Sequence, residues 1–137
     1  MRHSYDVTAE SSAPPATVWA LLLDTTTWPT WSRVDEARAE GSLRTFRTGK
    51  VVTEERVTTL DPERRFAYEG IVNPHLTDYR AAVDLVGLPG GGTRIRWHGT
   101  YGTRWWMRWF LPPYLRRFML TMAIGLAEHA ARLSKIS

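Results

Sequence analysis

The chain is 137 residues long, with 43% hydrophobic and 23% charged residues, no cysteine and a formal net charge of +4. The length suits one domain over residues 1–137. The composition excludes disorder, and the lack of cysteine excludes disulfides, thiolate metal sites and a cysteine nucleophile. No apolar run reaches the roughly 18–20 residues of a membrane-spanning helix. The start of the chain lacks the basic and apolar stretches of a secretory leader, so a soluble cytoplasmic protein is expected.

Tyr5, Val7 and Ala9 alternate with Asp6, Thr8 and Glu10, a period of two that predicts a half-buried strand. Pro14 and Pro15 suit the first turn of a helix, where a missing N–H is harmless. Val18, Trp19, Leu22 and Leu23 give that helix an apolar stripe to about Asp24. Trp28, Pro29 and Trp31 mark a second short helix or turn. Strands are predicted near 33–40, 43–48, 50–60, 64–72, 75–87 and 92–104. Gly41, Gly49, Asp61-Pro62, Asn73-Pro74 and the run Gly87 to Gly92 separate them. Tyr79, Ala81, Val83 and Leu85 share one face of a strand, as do Ile95, Trp97, Gly99 and Tyr101. Leu115, Phe118, Met119, Met122, Leu126 and Leu133 follow a helical period. Pro112 and Pro113 start this helix, or kink a longer one beginning near Trp105. A sheet with one apolar face needs cover, and this is the only long helix available. The expected class is α+β: a curved antiparallel sheet wrapped around a C-terminal helix, with two short helices after strand 1.

The charge is uneven. Between Asp84 and Glu128 there is no acidic residue and there are six arginines; the rest of the chain carries 12 basic and 14 acidic residues. Such a region favours an anionic ligand, a phospholipid surface or nucleic acid. A solvated arginine-rich face fits equally well. The 16 arginines against two lysines suggest a GC-rich bacterial source.

Three stretches, in this order, resemble the START-like superfamily of helix-grip proteins, and most closely its polyketide cyclase/dehydrase-type (SRPBCC) branch, to which the Bet v 1-like proteins are similar. They are APPATVWALLLDTTTWPTW at 13–31, ERVTTLDPERRFAYE at 55–69 and GGTRIRWHGTY at 91–101. The resemblance covers nearly the whole chain and rests on fold motifs, not on a catalytic signature. It implies about seven strands gripping the C-terminal helix, with a cavity between. It also implies a ligand such as a lipid, sterol, polyketide, quinone or hormone, with a minority of members being enzymes.

Tyr68, Tyr79, Trp97 and Tyr101 fall on predicted inward faces. Buried tyrosine hydroxyls need partners, which either a cavity holding water or an oxygenated ligand, or the rim and backbone carbonyls, would supply. Glu55 shares strand parity with Val51, Thr53 and Val57, which points it inward, where its pKa would rise. A bulge before Leu60 would instead turn it outward. His98 falls on the polar face without a catalytic partner. His3, His75 and His129 lack metal-ligand spacing. The run Gly90 to Gly92 reads as a hairpin turn, not a phosphate loop.

The expected function is binding of a small to medium hydrophobic molecule, lined by Glu55, Tyr68, Tyr79, Trp97, Tyr101, Met119 and Met122, with no metal or cofactor. One alternative is a polyketide cyclase or dehydrase in which a tyrosine or Glu55 moves protons. Another is a peripheral lipid or quinone carrier docking through Trp105, Trp106 and Trp109 in the segment RWWMRWFLPPYLRR. The same aromatics also fit a cavity gate, or packing of the helix onto the sheet edge. Nucleic acid is disfavoured, because periodicity turns many of these rings inward. The oligomeric state is not legible.

Overall fold

The computed structural model describes residues 2–136. Strand β1 (Arg2–Ser11) is followed by α1 (Pro15–Leu23), a 3-10 turn (Thr25–Thr27) and the single-turn helix α2 (Trp28–Trp31). Six strands come next: β2 (Glu36–Glu40), β3 (Leu43–Thr48), β4 (Val51–Asp61), β5 (Arg65–Val72), β6 (Leu76–Gly87) and β7 (Thr93–Thr103). A 3-10 turn (Trp105–Met107) leads into α3 (Leu111–Ile136). The seven strands form one antiparallel sheet in the order β1-β7-β6-β5-β4-β3-β2. The expected helix-grip class is what the chain forms.

The alternation seen in the sequence sets the two faces. Tyr5, Val7, Ala9, Val83, Leu85, Ile95 and Trp97 are buried on the inner face. On the outer face Arg96 donates to Asp6, Arg94 to Glu10 and Arg65 to Asp84. His98 lies there too, but it is half-buried and its Nε2 meets the Asp84 carboxylate at 2.8 Å. The acidic partner not visible in the sequence comes from β6, the neighbouring strand.

Helix α3 starts at Leu111, so Pro112 and Pro113 sit in its first turn and do not kink a longer helix. Its two halves pack differently. Ala123, Leu126, Ala127 and Ala130 are buried, in the half that meets Ser11 of β1 and Trp31 of α2. Small side chains let the backbones approach: a Cβ on Gly125 would stand 2.0 Å from the Trp31 carbonyl oxygen. Ser11 Oγ donates to the Ala127 carbonyl at 2.7 Å across the same seam. The first half carries Leu115, Phe118, Met119 and Met122, which face open space instead. Leu133, expected on the apolar stripe, is 39% exposed, because it lies beyond the packed seam.

Candidate functional site

The space beneath the first half of α3 is a cavity of about 300 Å³. Strands β3 to β7 form its floor, α3 its roof, and Trp28 and Val34 one end. Glu55, Tyr68, Tyr79, Trp97, Met119 and Met122 all lie on the wall. Tyr101 does not: its ring packs beside His3 and Tyr5, and its buried hydroxyl has no hydrogen-bond partner among the described residues. Tyr114 and His75 line the cavity and are also exposed. They mark the mouth, between the start of α3 and the β5–β6 turn.

Alternation along β4 brings Glu55 to the wall together with Val51 and Thr53. Two irregularities interrupt the β4–β5 pairing, but neither turns Glu55 out. The first places its extra residue, Ile71, on β5, between the pairs Glu54–Val72 and Glu55–Gly70. The second places Thr58 as the extra residue on β4, after Glu55 and Val57. A bulge before Leu60 therefore exists, and it resets only the residues beyond Thr58.

No hydrogen bond or ion pair reaches the Glu55 carboxyl among the described residues. Burial pushes its pKa up to about 8, with the positive charge of Arg44 opposing the shift. At neutral pH it is mostly the neutral acid, and so a hydrogen-bond donor. Arg44 stands opposite Glu55 in the β3–β4 register. Its guanidinium turns away, donating to the carbonyls of Leu22 at 2.9 Å and Leu23 at 3.3 Å and lying over the Phe66 ring. A cation at the carboxyl end of α1 is also well placed for the helix dipole.

Beside Glu55 runs a chain of hydroxyls. Trp97 Nε1 donates to Tyr68 Oη at 3.0 Å, Tyr68 meets Tyr79 at 3.0 Å, and Tyr79 meets Tyr5 in a short contact. Tyr5 takes the place in this cluster that the sequence suggested for Tyr101. It comes from β1, where Gly99 of β7 faces it; a Cβ on Gly99 would lie 3.0 Å from the Tyr5 ring. Burial raises the pKa of all three tyrosines, so they remain neutral donors. Two bonds between hydroxyls use two of the three protons. If the third were on Tyr5, which does not line the cavity, it would be an unmet buried donor. It is better placed on Tyr68 or Tyr79, pointing into the cavity. The inner site therefore offers an apolar body and a donor-rich end. Among the described residues, no three histidine, aspartate or glutamate side chains come together to hold a metal.

A model of the family described as polyketide cyclase / dehydrase and lipid transport matches residues 2–133. The chain belongs to this family. It also matches several solved structures at low sequence identity. The protein XoxI from Bacillus cereus is 16% identical, with a TM-score of 0.83 over 95% of this chain and 96% of that one. The Zhui aromatase/cyclase from a Streptomyces is 16% identical, with a TM-score of 0.82 over 96% and 95%. A START superfamily protein from Mycobacterium smegmatis is 14% identical, with a TM-score of 0.74 over 98% of both chains. No curated protein matches by sequence. At these identities the structural likeness speaks for the fold alone.

Proposed function

We propose that the chain binds a small to medium hydrophobic molecule bearing a carbonyl or similar acceptor oxygen. Its apolar body would lie between α3 and the sheet, with its oxygen toward Tyr68, Tyr79 and Glu55. The reading rests on a cavity of about 300 Å³ whose apolar wall ends at these groups. Burial of the apolar body supplies the drive, at roughly 25 cal/mol per Å² before the costs of association. The donors select the orientation.

The test compares 2-acetylnaphthalene with 2-ethylnaphthalene, which share a ring system and approximate size, by titration calorimetry. The ketone is expected to bind about three- to tenfold tighter, the worth of one net hydrogen bond. Tyr68→Phe with Tyr79→Phe narrows that advantage and leaves the hydrocarbon's affinity in place. Met122→Trp, which fills the cavity, weakens both probes. If neither probe saturates, or if Met122→Trp binds them as the wild type does, the reading fails. Native mass spectrometry of freshly purified protein would identify a co-purifying molecule directly.

A second reading, an enzyme of the cyclase or dehydrase kind, is favoured by Glu55. A carboxyl with a pKa near 8 can give and recover a proton close to neutral pH. Turnover of a linear poly-β-ketone that is lost in Glu55→Gln, while binding persists, would support it; absence of turnover in the wild type leaves binding alone.

A further inference from the structure

Four arginines without an ionic partner among the described residues gather around the start of α3. On the outer sheet face Arg2, Arg65, Arg94 and Arg96 pair with Asp78, Asp84, Glu10 and Asp6. Two of the six arginines in the acid-free stretch are thereby matched. The other four, Arg104, Arg108, Arg116 and Arg117, make no ion pair among the described residues. They flank the start of α3, whose dipole adds positive potential there.

Large aromatic side chains are exposed among them. Trp105 is 75% exposed and Trp109 76%, and Trp106, Phe110 and Tyr114 are each more than half exposed. The packing onto the sheet edge that the sequence allowed does not occur. The Arg108 guanidinium lies 5.5 Å from the Trp105 ring centre and 4.9 Å from that of Trp109, so cation and indoles form one surface. Phe110, Tyr114 and Arg117 lie at helical spacing on one side. Scattered exposed apolar residues are ordinary; a continuous aromatic patch is not. Indoles seat in the headgroup zone of a bilayer, and arginines seek its anionic lipids. A second copy related by a twofold axis would bring this arginine cluster against itself.

We propose that residues 104–117 form a docking surface for an anionic phospholipid bilayer. The surface docks and does not span: among the described residues no helix is long and apolar enough to cross a membrane. Tyr114 belongs both to the patch and to the cavity mouth, so the docked face is where a ligand would pass between bilayer and cavity. That last step rests on the proposed binding function; the docking itself does not.

The test is co-flotation with vesicles of phosphatidylcholine alone and with 30% phosphatidylglycerol, in 0.1 and 0.5 M salt. Association with the anionic vesicles is expected at low salt, weakened at high salt and absent from the neutral ones. Basic residues contribute about fivefold each at such a surface, so Arg116→Gln with Arg117→Gln should weaken partitioning about 25-fold. Trp105→Ala with Trp109→Ala should weaken it roughly tenfold through lost apolar burial. Circular dichroism should show both variants folded, because all four side chains are exposed. No flotation with anionic vesicles at low salt overturns the proposal, as does flotation that neither variant reduces. A concentration-dependent dimer that the tryptophan variant dissolves assigns the patch to a second copy and also overturns it. Binding of 2-acetylnaphthalene in solution is measured without vesicles, so the two readings fail separately.

Discussion

Glu55→Gln should make the protein less sensitive to alkaline pH. The native carboxyl has a pKa of about 8, against an ordinary value of 4.5. Between these values the folded chain holds a proton that the unfolded chain has released, so stability falls as pH rises. The contribution is fully present below 4.5 and gone above about 8. The slope is about 1.4 kcal/mol per pH unit, which sums to about 5 kcal/mol across the window. That sum is an upper bound, since the cavity mouth admits solvent around the side chain. Glutamine keeps the shape and a donor but has no proton to lose. The assay is urea unfolding followed by tryptophan fluorescence for both proteins, from pH 5 to 8.5. Taking the difference cancels the histidines, Arg44 and the three tyrosines that surround the cavity. Glu55→Gln should gain on the wild type steadily with pH and be the more stable protein by pH 8. A difference that stays flat across that range would refute the burial of this carboxyl.

Gly125→Ala is expected to destabilise the fold by about 2 kcal/mol or more in urea unfolding, despite alanine's better helix propensity, because its Cβ meets the Trp31 carbonyl. Arg44→Met removes donors from the Leu22 and Leu23 carbonyls and should cost about 2–3 kcal/mol in the same assay. It should also move the Glu55 titration further up, read as a pH-dependent loss that begins at the same pH but continues to higher pH than in the wild type. Tyr5→Phe should leave the ketone preference of the cavity intact, since Tyr68 and Tyr79 still line it, whereas the double Tyr68→Phe, Tyr79→Phe variant should not; calorimetry with the two naphthalene probes separates them.

The strands were legible because period-two alternation and glycine or proline breaks mark their faces and ends in the chain itself. The six strands after α2 begin and end within about three residues of the expected bounds. Glu55 was harder, because alternation shows a direction but not which strand absorbs an extra residue. In the fold Ile71 of β5 takes up one irregularity and Thr58 the other, and both leave Glu55 inward. The tyrosine cluster was legible only in part. Periodicity places Tyr5, Tyr68, Tyr79 and Tyr101 inside, but which hydroxyls meet depends on pairing β1 with β7. The Asp84–His98 contact also spans two strands and has no signal along either one. The rings of Trp105, Trp106, Trp109 and Phe110, expected to turn largely inward, are exposed instead: a 3-10 turn (Trp105–Met107) and an irregular stretch precede α3, so the helical period does not extend back to them.

The division of α3 into a close-packed seam and an open span has a consequence for divergence. Contacts that hold the rod in place come largely from alanines and Gly125, while the positions that shape the chamber are Leu115, Phe118, Met119 and Met122. Exchanges at the second set can resize or reshape the chamber without disturbing the anchoring joint. The chamber can therefore change shape while the scaffold stays fixed, which suits a fold shared by chains that have lost almost all common sequence.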